Sequence, residues 1–362
     1  VNAAPLTTTP ADDRAARSVV KAWWGELPCD LAPLPGSGFS GAAVWQVQTP
    51  TGRFVLKGLP AGMPPERAAW VHRLMLHLRA AGCGEVPAVV RTAAGATLAP
   101  DQSGRMWELV AFAPGGPTST PTPAQATAAM EALARVHLAA AALPRPTPDA
   151  GPGLPRRLDR VRRLIGDPWR TRRPRLTPPA ASTDLASGMR ERLDRAIATF
   201  AAVEGDRALA AFARWRPPTL PVQPVLRDVW ADHVFFVHDR VTGFIDLHAA
   251  GCDTAATDIA RLLGSWQSPW PGTGVWATRW GPALAAYQGV RVLSAAERRV
   301  LPLLHASTVV LGLDNWFQWV LEEGRSFPAP AALDRVDRLL LGLAEACREL
   351  AQTGAAIDAE PV

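Results

Sequence analysis

Two acids eighteen residues apart, Asp228 and Asp246, each interrupt an apolar run in the stretch VLRDVWADHVFFVHDRVTGFIDLHAAG, Val225 to Gly251. Burying an unpaired charge is costly, so acids at strand ends hold a partner: an arginine, a metal or a substrate. An acid in a loop can orient a hydroxyl and accept its proton in the transition state. An acid at a strand end can coordinate Mg²⁺ bridging two phosphates, since Mg²⁺ prefers oxygen ligands and keeps several waters. Plain structural roles are open as well. Asp228 could pair with Arg227, and Asp246 could cap the turn before Ala249-Ala250-Gly251.

A third residue narrows the choice. Lys57 and Lys21 are the only lysines among 38 basic residues, and Tyr287 is the only tyrosine. High Ala, Pro and Arg with few Lys, Asn and Tyr is the mark of GC-rich coding, which makes a retained lysine informative. Lys57 ends the apolar strand Arg53-Phe54-Val55-Leu56. It follows the glycine-rich loop Gly36-Ser37-Gly38-Phe39-Ser40-Gly41, a strand over Ala42 to Val47 and the turn Thr49-Pro50-Thr51-Gly52. In a dinucleotide-binding fold that glycine spacing would open a helix, whereas here a strand and hairpin follow. Amides in such a loop approach phosphate closely, and a lysine two strands on can pair with phosphate oxygens. The plainer alternative is a flexible loop beside a snorkelling edge lysine. Taken with two acids, Lys57 points to phosphoryl transfer.

The elements that must position these residues follow from pattern. Asp12 to Trp24 reads as a helix, and Pro64-Pro65 opens another running to about Ala81. Val86 to Arg91 and Met106 to Phe112 read as strands. Helical patterns cover Pro123–Ala142, Thr183–Val203, Ala255–Trp266, Val275–Tyr287, Ser294–Leu321 and Ala331–Ala351. Strand Val234–Val237, a turn at His238-Asp239-Arg240 and strand Val241–Ile245 place Asp228 and Asp246 at the two ends of one hairpin. The expected architecture is α+β and two-lobed. A β-rich lobe, 1–112, carries the loop, the lysine and the long helix. A mainly helical lobe, 113–362, carries both acids, and the boundary falls at Ala113-Pro114-Gly115-Gly116.

Composition excludes other classes. With 48% hydrophobic and 20% charged residues the chain is an ordinary globular one. No run of 18 apolar residues suggests a membrane span, and VNAAPLTTTPADDR lacks the pattern of a secretory signal. Cys29, Cys83, Cys252 and Cys347 form no CxxC pair and no metal-ligand spacing, as expected of a reduced cytoplasmic protein. A net charge of +5 permits anionic partners without requiring nucleic acid. The arginine-dense segment Arg156–Arg175 has Trp169 but no repeated aromatic interleaving, which favours a solvated face over a nucleic-acid patch. A narrower role for one or two of its arginines is holding an anionic group on a substrate. Late tryptophans show helical core spacing, with Trp270 and Trp276 the better pocket candidates.

The chain resembles the aminoglycoside phosphotransferase and choline-kinase-like family of the protein-kinase-like fold. That family writes its catalytic loop His-Gly-Asp with an Asn five residues on, then Ile-Asp on the next strand and Asp-Leu-Ala beyond. Here stand Leu226-Arg227-Asp228, His233, Ile245-Asp246 and Asp258-Ile259-Ala260. The resemblance implies an ATP-dependent kinase of a small-molecule hydroxyl. Asp228 is its base, with Arg227 beside it. Asp246 and His233 hold metal, and Lys57 and the loop Gly36 to Gly41 hold phosphate. Glu108-Leu109-Val110 resembles the hinge whose backbone bonds adenine, and Leu133-Ala134-Arg135-Val136-His137 resembles a helix of the large lobe. The acid that pairs with the lysine is then Glu66, with His72 at a more central place in the same helix. His233 suits Mg²⁺ less well than an amide oxygen would, so Mn²⁺ enters as an alternative metal. Eleven residues between Asp246 and Asp258 leave no room for a long switch loop, which favours a small acceptor over a protein. The competing class is a pseudokinase-like binding module that keeps the fold without transfer.

Overall fold

A computed structural model describes residues 10–26, 29–34, 43–60, 62–144, 153–166, 169–170, 184–270 and 276–357. The expected glycine-rich loop, Gly36 to Gly41, lies outside the described residues. Two compact units emerge. The first comprises residues 1–146, 224–251 and 282–292. The second comprises 147–223, 252–281 and 293–362. This differs from a boundary at 112/113, because residues 113–146 and the whole acid-bearing hairpin belong with the N-terminal sheet.

In the first unit, helix α1 (Pro10–Val19) precedes strands β1 (Asp30–Pro33), β2 (Ala43–Thr49) and β3 (Gly52–Gly58). Helix α2 (Pro65–Ala80) follows, then β4 (Ala99–Pro100) and β5 (Met106–Ala111). The strands form one antiparallel sheet in the order β1-β2-β3-β5-β4. Along β2 the inward positions Ala43, Trp45 and Val47 alternate with less buried ones, the period of a half-buried strand. Trp45 and Trp107 meet at 5.3 Å between ring centroids and fill the core with Leu56, Leu109 and residues of α1. Residues 86–91, expected as a strand, make only an isolated bridge, Val89 to Val110.

Proline at the first position opens α2, and a reciprocal cap between Thr122 and Gln125 opens α3 (Pro123–Ala141). Strands β6 (Gly116–Pro117), β8 (Val234–Val237) and β9 (Arg240–Phe244) make a second sheet in the order β6-β8-β9. Gly115 leads into it at φ +87°, where a Cβ would lie 1.9 Å from the Phe236 carbonyl oxygen. Only glycine fits that approach.

The second unit is helical. It contains α4 (Gly153–Leu164), α5 (Asp184–Ala202), α6 (Gly205–Arg214) and α7 (Ala255–Ser265). Helix α8 (Gly281–Val290) lies almost wholly in the first unit, and α9 (Ala295–Phe317) and α10 (Ala329–Ile357) complete the second. The short strands β7 (Gln223–Val225) and β10 (Gly251–Asp253) mark where the chain passes from one unit to the other. Helix α9 packs on α10 and α7, and α10 packs on α5 and α6. The stretch Ala295–Glu322 is long and apolar enough to cross a membrane by composition, yet 72% of its most apolar window is buried inside the protein, as in a core helix. Three arginines of α4, Arg156, Arg162 and Arg163, lie on an exposed face as expected, while Arg157 and Arg160 turn towards α9. Arg157 donates to the Thr308 hydroxyl at 2.7 Å, Arg160 to the Asn315 side-chain oxygen at 2.7 Å, and Arg162 to Asp159. Trp276, a sequence-level pocket candidate, is 2% exposed and stacked on His305.

Candidate active site

Lys57 and Asp246 are 189 residues apart in sequence and bonded in space. Lys57 Nζ donates to Asp246 Oδ1 at 2.6 Å, with side chains only 13% and 31% exposed. The β2-β3 hairpin carries Lys57 inward, and the β8-β9 hairpin delivers Asp246 just past its end. Asp246 adopts φ +57°, a left-handed backbone rare outside glycine, which turns its carboxylate out of the strand. Burial alone would raise this carboxyl. The Lys57 ammonium, with His233 and His248 behind it, more than reverses that and holds it below its ordinary value.

Asp228 sits in the loop between β7 and β8. Its Oδ1 accepts the Trp230 indole N–H at 2.6 Å, which fixes the carboxylate's orientation. Its carbonyl oxygen accepts from His233 Nδ1 at 2.7 Å. A carbonyl can only accept, so Nδ1 carries a proton and Nε2 is the nitrogen that could face a ligand. The preceding Arg227 has φ +63°, and strain of this kind persists only where surroundings enforce it. Its guanidinium lies against Gly251, where a Cβ would stand 2.6 Å from Cζ.

Three expectations are corrected. Glu66 does not reach Lys57; it is exposed in the first turn of α2, on the wrong phase of that helix. Glu108 is not a hinge residue. Its backbone pairs with Lys57 in the β3-β5 ladder, and its side chain accepts from His72 Nε2 and His248 Nε2, each at 2.6 Å. Val110 pairs with Val55 on one side and bridges Val89 on the other, so its main chain is occupied within the sheet. Burial would raise the Glu108 carboxyl, but His248 and then His72 hold it well below the usual carboxylate range. His248 and Trp230 do not stand out in the sequence, and His72 does so only by its central place in the long helix. The available signals were His72 in the middle of the long helix and the short spacings Asp246-x-His248 and Asp228-x-Trp230.

Among the described residues no group of three or more His, Cys, Asp or Glu side chains could hold a metal alone. Asp246 lies within electrostatic reach of His233, so a carboxylate and an imidazole could supply part of a donor set. Such a set fits a divalent ion whose remaining ligands are nucleotide phosphates and water.

A lysine and an acid paired between two hairpins, with a second acid on a loop whose preceding residue is left-handed, are the residue types a kinase-like phosphotransferase needs. The Phosphotransferase enzyme family profile, APH, matches residues 32–303, and the chain belongs to that family. It is 31% identical over 298 residues to the homoserine kinase of Acidiphilium cryptum (strain JF-5), covering 82% of each chain. It is 30% identical over 258 residues to that of Azorhizobium caulinodans, covering 71% of each. Among solved structures it is similar in fold to spectinomycin phosphotransferase in complex with ADP and its antibiotic. That match has TM-score 0.63 and 13% identity, over 93% of this chain and 98% of the other. A microcompartment-associated aminopropanol kinase matches with TM-score 0.58 and 15% identity, over 94% and 98%. The protein is an ATP-dependent phosphotransferase acting on a small-molecule hydroxyl, with the α+β kinase-like fold.

Proposed function

We propose that the acceptor is the terminal hydroxyl of a small amino acid alcohol, homoserine being the substrate named by the curated relatives. The observation that carries the reading is the Lys57–Asp246 pair, and the Asp228 carboxylate oriented by Trp230 supports it. Lys57 binds phosphate oxygens of ATP once its contact with Asp246 opens. Asp246 and His233 would hold Mg²⁺, or Mn²⁺ as the softer alternative. The ion, when bound, neutralises charge on the β- and γ-phosphates.

Asp228 accepts the hydroxyl proton as the acceptor oxygen forms its bond to the γ-phosphorus. The bond from that phosphorus to the bridging β-phosphate oxygen breaks, and ADP leaves with the electron pair. Catalysis is then chiefly positioning and charge neutralisation. Asp228→Asn keeps shape and the Trp230 bond while removing the base. Its kcat should fall by about 10²–10⁴ with KM for homoserine little changed. ADP release would be followed with homoserine, threonine and aminopropanol as acceptors. Turnover of another alcohol in preference to homoserine would overturn the substrate assignment, and wild-type turnover by Asp228→Asn would overturn the role of Asp228.

A further inference from the structure

In the family resemblance the strand lysine pairs with an acid on the long helix. Here the buried face of α2 presents His72 instead, 2% exposed at its side chain, and Lys57 pairs with Asp246. His72 and His248 each give one ring N–H to one oxygen of Glu108, whose side chain is 6% exposed. A carboxylate only accepts, so both rings carry their proton on Nε2. That leaves both Nδ1 atoms buried, and neither has a hydrogen-bond partner among the described residues. Folds rarely tolerate two such atoms together without a reason in the site.

The arrangement ties three elements to one carboxylate. Glu108 stands directly opposite Lys57 in the β3-β5 register, so the two side chains share a face of the sheet. His248 lies two residues past Asp246, in the short turn Leu247–Ala249. Arg67, one turn before His72 on the same helix, donates to the carbonyls of His248 and Ala250. Helix α2 therefore grips the turn that carries Asp246 through its main chain and, by way of Glu108, through its side chain.

We propose that His72, Glu108 and His248 are positioning residues that set the Asp246 carboxylate for metal and nucleotide, in place of the helix acid that elsewhere holds the lysine. The inference rests on Asp246 as the metal-holding residue proposed above. None of the three needs to touch substrate. They act by fixing the turn whose left-handed residue aims the carboxylate.

The test is Mn²⁺ binding in the presence of ADP, read as loss of the free-ion EPR signal, without turnover. Circular dichroism confirms that each variant is folded under the assay conditions, since an unfolded fraction would raise the apparent dissociation constant. His248→Leu removes the donor to Glu108 and should weaken Mn²⁺ about tenfold, the scale of lost outer-shell support. His248→Gln keeps an N–H donor and should stay within about threefold of wild type. Glu108→Gln, close in size, carries the same expectation as His248→Leu and serves where that variant does not fold. Asp246→Asn is the reference. If it abolishes Mn²⁺ binding while His248→Leu and Glu108→Gln bind as wild type, the network is only structural and the inference falls. Equal weakening by His248→Gln and His248→Leu would overturn it too. If Asp246→Asn itself binds Mn²⁺ normally, the metal assignment falls first, a distinguishable result.

Discussion

Adding one methyl group at Gly251 tests whether Arg227 steers Asp228. An alanine Cβ there would stand 2.6 Å from Arg227 Cζ and Nη1 and 2.9 Å from Nε. Reaching the 3.4 Å of ordinary contact requires the guanidinium to retreat by about 0.8 Å. It is the far end of a flexible side chain, so it can move with little loss of stability. The Arg227 backbone at φ +63° cannot move so freely. A left-handed residue costs about 1–2 kcal/mol and stays only while its surroundings hold it. Releasing the side chain lets that backbone relax, which rotates the adjacent Asp228. Misplacement near 1 Å costs on the order of 10²-fold in rate. Gly251→Ala should therefore keep its urea midpoint within about 1 kcal/mol of wild type while kcat falls about 10- to 100-fold. The assays are coupled ADP release for kcat and KM, and urea unfolding. Wild-type kcat would refute the steering argument. A loss of several kcal/mol in stability would refute the claim that the guanidinium yields.

Gly115→Ala should behave in the opposite way. Its Cβ would meet the Phe236 carbonyl oxygen at 1.9 Å at φ +87°, and neither backbone can give cheaply, so stability should fall by about 3 kcal/mol or more with kcat per folded molecule nearly unchanged. In the second unit, burial and the nearby Arg279 push His305 down to about 4, while Trp276 stacks on its ring. The folded state thus favours the neutral ring, and this contribution is present above the unfolded value near 6.5 and lost as pH falls from there towards about 4. The unfolding free energy of wild type, from urea titrations, should drop across that window by on the order of 2–3 kcal/mol more than that of His305→Gln. Equal pH slopes for the two proteins would remove the argument.

Lys57, Asp228 and Asp246 stand out in the sequence because chemistry constrains their types and spacing, and the structure joins the first and third. One of two lysines ended a strand, and two acids flanked a predicted hairpin. What each would touch was less legible. Lys57 and Asp246 meet only because two hairpins 189 residues apart come together, and no local pattern encodes that. Glu66 failed as a partner through helix phase, since the buried stripe of α2 runs through Ala68, Val71 and His72 and leaves Glu66 in solvent. Glu108 failed through register. The motif reading located β5 correctly, but pairing with Lys57 puts Glu108 inside the ladder rather than beyond its end. Helix extents were read within a few residues for α2, α3, α5 and α7, where proline, caps and apolar periodicity agree.

The division of the chain into interleaved segments bears on how the molecule is made. The first unit draws on residues 1–146, 224–251 and 282–292. During synthesis the N-terminal sheet emerges early, carrying Lys57 and Glu108, but Asp246 and His248 arrive only after a 77-residue excursion, 147–223, has left the ribosome. Helix α8 arrives later still. Contacts so distant in sequence form slowly because the intervening chain must first be closed into a loop. A nascent chain halted before residue 246 would therefore hold Lys57 without its acid partner.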